Sequence, residues 1–394
     1  MLDRLLVFAK TPVMELWDLN LRHLSAMAEI ARLGTINAAA GAVNLTQPAI
    51  TQALARLERQ LGASLFDRRP DGMTPTEPAL LLVPRVDAAM ERIGSPHVTM
   101  ARMRALLALA DVGSYTGAAA ATGLSMPSLH RAVSDLALAT RRKLVERRGK
   151  ALVFTEAGLR TVRAFRLARS ELIAGLSEVE ALKGRETRAI AIGAMPLSRA
   201  RVLPEAVVRF ARRYPEVRIS IVEGSRVELV EPLRDGMIDF TIGALRDPLP
   251  EPDLEQEALF IDMPVVIARS GHPLAGTDAS LAELARHEFV MPPVGTPLRD
   301  AWDERFTLAG LVPPRVVIET GSVMMIRQML VGSDRLTVLS PDQLAVELDA
   351  GLLQQVAEPV DGMRRTIGIT QRSGWRATSV QNAFLATLRE VVAA

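Results

Sequence analysis

The feature that most constrains this 394-residue sequence is an internal duplication. Residues 45–69, LTQPAITQALARLERQLGASLFDRR, and residues 124–148, LSMPSLHRAVSDLALATRRKLVERR, align without a gap at an offset of 79 residues (45 to 124, 69 to 148). Leu45 meets Leu124, Pro48 meets Pro127, Leu57 meets Leu136, Leu65 meets Leu144, and Arg68–Arg69 meets Arg147–Arg148. Extending the comparison to 24–79 against 103–158 gives about 15 identities, among them Gly34/Gly113 and Thr76–Glu77/Thr155–Glu156. So long a period exceeds a solenoid unit, and the repeated object is a small domain.

Each copy reads as a helix (Leu21–Leu33; Ala101–Val112), a Gly-Thr or Gly-Ser stop, and a short Ala-rich helix (Ile36–Val43; Tyr115–Thr122). A turn follows at Asn44–Leu45 or Gly123–Leu124, with Thr46 or Ser125 as N-cap and Pro48 or Pro127 in the first turn of a third helix. Helices that touch across such a turn need small residues, and Ala39, Ala40 and Ala42 supply them. The stretches LFDRRPDGMTPTEPA and LVERRGKALVFTEAG then read as two-stranded wings around a Pro-Asp-Gly or Gly-Lys turn.

The net charge of +2 conceals an asymmetry. Residues 1–185 carry roughly +8 and the remainder roughly −6, so the duplicated half has the sign that suits a polyanion. There is no cysteine, which excludes disulfides and thiolate metal sites, and the five histidines His23, His97, His130, His272 and His287 show no ligand spacing. No metal or other cofactor is expected. No run approaches the roughly 20 apolar residues of a membrane span, and the opening MLDRLLVFAK lacks a signal-peptide core. The expected location is the cytoplasm.

LTQPAITQALARLERQLGASLFDRR with its following Thr-Glu helix start resembles the winged helix-turn-helix of the LysR-type transcriptional regulators, and the rest of the chain resembles that family's ligand-sensing half. The second winged module is the departure, since the ordinary member has one. The resemblance implies an α+β multidomain fold: two winged helix-turn-helix modules, a long linker helix, and an α/β bilobal, periplasmic-binding-protein-like effector domain. It also implies that the third helix enters the major groove while the wing meets the backbone or minor groove of double-stranded DNA. Carried over by position, Gln47, Thr51 and Gln52 read bases, Thr46 lies near a phosphate, and Arg68 and Arg69 serve the wing. Gln pairs bidentately with adenine, Thr touches a thymine methyl, and Arg neutralises phosphate. In copy two the corresponding helix offers Ser125, Ser128, His130 and Arg131, with Arg147, Arg148 and Lys150 on the wing. There Glu58, Leu61 and Gly62 are replaced by Ala137, Thr140 and Arg141, so the turn before the wing is expected to differ for want of a glycine.

Family members dimerise through a long helix that follows the wing. Copy one is followed by Glu77–Ile93, broken at Gly94-Ser95-Pro96; copy two is followed by Glu156–Lys183, about 42 Å of helix. The longer helix is the expected dimer element, with an apolar stripe of Leu159, Val162, Phe165, Leu172, Leu176 and Val179. Arg160, Arg163, Arg166 and Arg169 beside it read as a solvated face. On this reading copy one is an added outer module, and a dimer carries four modules and a tetramer eight.

From Thr187 onward short β-rich runs alternate with helices, which predicts an α/β arrangement of mainly parallel strands. The resemblance implies two Rossmann-like subdomains joined by strands near Met263–Ala268 and Thr366–Thr370, with an effector between them. Strand-to-helix turns at Pro196-Leu197-Ser198, Gly224-Ser225, Gly295-Thr296 and Gly321-Ser322 are expected to offer free N–H groups and hydroxyls to a small anion. Arg199, Arg246 and Arg299 add candidate carboxylate forks.

The expected domains are 15–94 and 97–155 for the winged modules, 156–185 for the linker helix, 186–262 with 366–394 for subdomain I, and 263–365 for subdomain II. The expected function is a sequence-specific DNA-binding regulator switched by a small organic acid, aromatic or sugar-derived, and working as a homodimer or homotetramer. The transcription machinery is a further expected partner, and a membrane is not. The alternative is a small-molecule-binding protein of the same bilobal fold whose second module contacts protein instead of DNA. For an enzyme the sequence has no Cys, no Gly-x-Ser-x-Gly elbow, no dinucleotide glycine pattern and no metal set.

Overall fold

Each copy of the repeat folds as three helices and a two-stranded wing, in elements placed 79 residues apart. Copy one comprises α1 (Leu21–Leu33), α2 (Ile36–Ala42), α3 (Gln47–Leu61), β1 (Phe66–Arg69) and β2 (Gly72–Pro75), and leads into α4 (Glu77–Ile93). Copy two comprises α5 (Met100–Val112), α6 (Tyr115–Thr122), α7 (Met126–Thr140), β3 (Val145–Arg148) and β4 (Ala151–Phe154), and leads into α8 (Glu156–Ala181). The computed structural model describes residues 16–70, 72–149, 151–185, 189–357 and 362–393. The chain divides into one unit formed by residues up to 190 with the segments 216–220 and 235–237, and a second formed by the remainder.

Local chemistry explains why the copies match. Thr35 and Ser114 cap α2 and α6, and Thr46 and Ser125 cap α3 and α7, each side-chain oxygen accepting a backbone N–H of the first turn. The wings share one register, Phe66 opposite Pro75 and Val145 opposite Phe154. Thr76 and Thr155 then donate their hydroxyls to the carbonyls of Ser64 and Lys143, which fixes the wing to the next helix.

Arg141 corrects one expectation. It adopts φ 52° and ψ 37°, close to the φ 59° and ψ 34° of Gly62, and its N–H returns to the Ala137 carbonyl as that of Gly62 does to Glu58. The helix end and the buried leucine that follows, Leu65 or Leu144, impose the same turn on both copies, so the arginine accepts the left-handed strain. Glu58, which also accepts the Leu65 N–H, has no counterpart in Ala137. The helix–helix seam of copy one is Ala39 and Ala40, both buried, whereas Ala42 is exposed.

The larger correction concerns α8. Its apolar stripe is covered within the chain by α4: Val162, Phe165, Leu172, Leu176 and Val179 are buried in one core with Leu82, Val86, Ala89 and Ile93, and only Leu159 of the expected stripe is exposed. A Cβ on Gly175 would stand 2.8 Å from Leu82 Cδ1 and 3.1 Å from Arg85 Cβ, so this glycine lets the two helices approach. Arg85, 6% exposed, donates to Glu171 at 3.1 Å and to Glu178 at 2.9 Å. The arginines of α8 do not form a solvated face either. Arg160 is exposed and pairs with Glu156, but Arg163 donates to Asp235 at 2.9 Å and Arg166 bridges Asp111, at 2.6 Å, and Asp235. Arg169 is half-buried, and burial pulls its guanidinium below the ordinary arginine range.

The second unit is built around two sheets. The first has the order β6-β5-β7-β14-β8, with β5 (Ile190–Ala194), β6 (Ile219–Glu223), β7 (Phe240–Ala244), β8 (Leu254–Asp262) and β14 (Arg365–Arg372). Helices α9 (Val202–Arg213), α10 (Arg226–Arg234) and the terminal α15 (Ser379–Ala393) accompany it. The second has the order β12-β9-β13, with β9 (Val265–Arg269), β12 (Thr337–Leu339) and β13 (Leu353–Ala357), beside a parallel pair β10 (Phe289–Met291) and β11 (Val316–Glu319). Helices α11 (Leu281–Leu284), α12 (Pro297–Leu308), α13 (Val323–Val331) and α14 (Ala345–Asp349) cover it around a core that includes Trp302, Phe289 and Phe306.

The expectation of mainly parallel strands is corrected. Pairs β5/β7 and β10/β11 are parallel, but β14 runs antiparallel to both β7 and β8, and β9 runs antiparallel to both β12 and β13. The chain leaves the first sheet through residues 263–264 and returns into it as β14, and a strand that comes back from a neighbouring lobe enters from the opposite end. Thr366–Thr370 lies within β14, inside the first sheet.

Candidate nucleic-acid interface and effector cleft

In copy one the start of α2, the start of α3 and the wing enclose a shallow concavity of about 370 Å³ that brings Gln47, Arg68 and Arg69 together with Thr35 and Asn37. Gly72, at φ 145°, makes this possible. A Cβ there would lie 2.5 Å from the Gly34 carbonyl, to which the next residue, Met73, donates its N–H at 2.7 Å. Gln47, Gln52, Arg68 and Arg69 are exposed, and so is Thr46 despite its capping bond. Thr51 is half-buried, and its hydroxyl donates to the Gln47 carbonyl at 3.0 Å, which occupies the hydroxyl proton within the helix.

Copy two presents different chemistry at the same places. Gln47, Thr51 and Gln52 correspond to Met126, His130 and Arg131. His130 is exposed and stacks on Tyr115 with ring centroids 3.6 Å apart. Reading the sequence missed this pair, although Tyr115 standing where copy one has Ile36 is a visible signal. Arg131 and Arg147 are exposed, Arg148 is exposed and donates to Glu146 at 3.0 Å, and Lys150 lies outside the described residues. Arg148 and Lys143 together hold the Glu146 carboxyl below its ordinary value. Ser125 and Ser128 share a hydroxyl contact of 2.8 Å, so neither is fully free for a phosphate. A separate depression of about 600 Å³ lies at the C-terminal end of α7, lined by the buried Val133 and Leu144, the exposed Leu138, and Arg141, Arg142 and Lys143.

In the second unit the expected anion-binding turns prove self-satisfied. Ser198 is buried and donates to the Met195 carbonyl at 2.9 Å; Pro196 opens the same short turn. After Gly224, both the N–H and the hydroxyl of Ser225 go to Glu228, at 2.7 and 2.8 Å. The Gly295 N–H goes to Asp300 at 2.9 Å, and the Thr296 hydroxyl goes to the Pro293 carbonyl at 2.7 Å. After Gly321, the Ser322 N–H goes to Thr320 at 3.2 Å and its hydroxyl caps α13. A nearby carboxylate or hydroxyl captures each amide more cheaply than a diffusing anion can. The Ser-x-x-Glu spacing of 225–228 was a legible signal of this.

The three arginines also separate. Arg199 pairs with Glu223, and Arg299, 9% exposed, is held by Asp303 at 2.7 Å, by Glu319 at 3.3 Å and by the Pro292 carbonyl. Arg246 is half-buried, and among the described residues no hydrogen bond or ion pair engages its guanidinium. Burial, and then the charge of Arg226, lower its pKa, while Asp300 opposes them. Arg246 precedes β8, and Asp300, whose charge acts on it, lies on α12. No helix among the described residues is long and apolar enough to cross a membrane, and no three His, Asp or Glu side chains among them gather as a metal site.

Paired winged modules with basic tips, joined to a two-sheet α/β domain, define a DNA-binding regulator with a sensing half. The family model for bacterial regulatory helix-turn-helix proteins of the lysR family matches twice, at residues 21–80 and 100–159, and the LysR substrate binding domain matches residues 183–393. The chain belongs to the LysR family of transcriptional regulators and is not an enzyme. It is 32% identical to the HTH-type transcriptional regulator GalR of Pseudomonas putida over 386 residues, 95% of this chain and 97% of that one, an alignment that spans both modules. It is 32% identical over 301 residues to the RuBisCO operon transcriptional regulator of Allochromatium vinosum, 73% of this chain and 94% of that one. A full-length OxyR variant from Pseudomonas aeruginosa shares the fold at TM-score 0.53 and 21% identity, covering 75% of this chain and 95% of its own. The quarter left uncovered is about one module's worth of chain.

Proposed function

We propose that this regulator binds specific DNA through the N-terminal turns of α3 and α7, with the wings on the backbone, and that a small aromatic carboxylate held by Arg246 controls it. The observation that carries the effector reading is the Arg246 guanidinium, half-buried and unengaged where Arg199 and Arg299 are already paired. A half-buried cation without a partner gains more from a carboxylate than an exposed one does. The aromatic class is favoured over sugar acids by Val294, in the loop that follows β10, and by Met324 and Met325, in the first turn of α13 after β11, all exposed apolar side chains. Thermal melting against a panel of benzoates and aldonic acids tests this: aromatic acids should raise the midpoint, and Arg246→Gln should abolish the rise. A shift that survives Arg246→Gln would remove Arg246 from the site.

The DNA reading is supported by the exposed polar faces of both recognition helices and the basic wings beside them. Gel shifts with the DNA upstream of the protein's own gene should show specific binding that Gln47→Ala with Gln52→Ala removes. One observation favours a second role for copy two: the largely apolar depression that Arg141, Arg142 and Lys143 help to line suits an acidic protein surface. If His130→Ala with Arg131→Ala leaves DNA affinity unchanged while Leu138→Asp disrupts regulation in cells, that role is the correct one.

A further inference from the structure

We infer that a single chain is a two-headed reader for an operator with two unlike halves, because the α4/α8 pair joins two modules in one chain as a dimer seam would join two chains. The inference rests on the reading that both modules bind DNA, and adds how they are coupled and what sequence they demand.

The two helices run antiparallel. The middle of α4, at Leu82 and Arg85, meets α8 at Glu171, Gly175 and Glu178, and beyond the end of α8 the Lys183 ammonium reaches the Leu61 carbonyl, on the side where the wing of copy one enters α4. Each winged module precedes the N-terminus of its own long helix, so an antiparallel pair carries the modules at opposite ends. The 26 residues of α8 span about 39 Å, comparable to the roughly 34–36 Å turn of a duplex.

The seam is complete without a second chain. The apolar stripe of α8 from Val162 to Val179 is already buried, and Arg85 in the seam already has two carboxylates. Moreover the modules are not interchangeable. Arg32 of α1 pairs with Asp87 of α4 at 3.2 Å, and the positions 79 residues later carry the same bridge reversed, Asp111 of α5 with Arg166 of α8 at 2.6 Å. Seating either module on the other long helix would place Arg32 against Arg166 or Asp111 against Asp87. The order of the halves is thereby fixed by like-charge repulsion.

The halves also read different bases. Gln47 and Gln52 have the paired donor and acceptor that match adenine, whereas Met126 has neither and Arg131 matches guanine. His130, stacked on Tyr115, replaces Thr51 with a rigid ring. A palindrome cannot satisfy both heads.

The test is selection of binding sites from a random-sequence duplex library by the full-length protein, with stoichiometry on the winning duplex measured by native mass spectrometry. The expected motif has two unlike halves at fixed spacing and binds one chain. Gln47→Ala with Gln52→Ala should erase the information in one half, and Arg131→Ala in the other; these side chains are exposed, and unchanged circular dichroism melts will confirm that both variants fold. A palindromic motif, a motif that Arg131→Ala leaves intact, or two chains on one motif would each overturn the inference while leaving DNA binding standing. Failure to enrich any sequence would overturn the DNA reading, and the inference with it.

Discussion

Arg141 and His272 show how single residues carry the cost of what surrounds them. Arg141 sits at φ 52° where its repeat partner is a glycine, and left-handed backbone costs a side-chain-bearing residue roughly 1 kcal/mol or more. Arg141→Gly relieves that strain but frees the unfolded chain, so the net gain should be up to about 1 kcal/mol, read as a higher urea midpoint with unchanged slope. A loss of stability would mean that the exposed side chain does more than endure its backbone. His272, 2% exposed, accepts the Leu274 N–H on Nδ1 at 3.1 Å, so the proton lies on Nε2, which donates to the Asp334 carbonyl at 3.1 Å. Burial depresses its pKa below the ordinary 6.5, which means the folded state prefers the neutral ring. The unfolded chain then binds the proton more readily, so this contribution is whole above the ordinary histidine value and is lost as pH falls through it. Urea midpoints at pH 8 and pH 5.5 should differ less in His272→Gln than in the natural protein; an equal difference would assign the acid sensitivity to other groups.

At the scale of elements, what was legible in the sequence was what short-range chemistry decides. The caps Thr46 and Ser125, the first-turn prolines Pro48 and Pro127 and the Gly34 and Gly113 stops lie within a few residues of the helices they bound, and those helices stand where the spacing predicts. The role of α8 was not legible in that way. Its apolar stripe is real, but a stripe announces only that something covers it, and the cover comes from α4 at a separation near 90 residues, as in the Arg85–Glu178 bond. The effector turns failed for a different reason: Glu228 and Asp300, a few residues further along the chain, hold the amides that were expected to be free. The α4/α8 pairing makes a measurable demand. Arg85→Met leaves Glu171 and Glu178 facing each other in a buried seam and should cost about 3–5 kcal/mol. Replacing all three by Met should recover most of that, since an apolar seam needs no counter-charge. If Arg85→Met alone is neutral in urea denaturation, α4 and α8 do not pack as described.

For the whole molecule, the division of charge gives each half a separate task. The duplicated half carries roughly +8, and the exposed Arg68, Arg69, Arg147 and Arg148 stand on its two wings; the second half carries roughly −6, which discourages it from binding the same polyanion. If one duplex engages both modules at once, the phosphate contacts of the two wings must add in a single salt dependence. Each contact contributes about 0.9 to the slope of log affinity against log salt, so Arg68→Ala with Arg69→Ala should lower that slope by about 2. Arg147→Ala with Arg148→Ala should lower it by less, because Arg148 already shares its charge with Glu146 at 3.0 Å. The fourfold variant should then show the sum of the two reductions, as independent contacts on one bound duplex require. Fluorescence anisotropy across a salt series measures all three slopes. A copy-two variant whose slope matches the natural protein would show that the second wing never touches the duplex; a fourfold variant no worse than the copy-one pair alone would show the same by a different route.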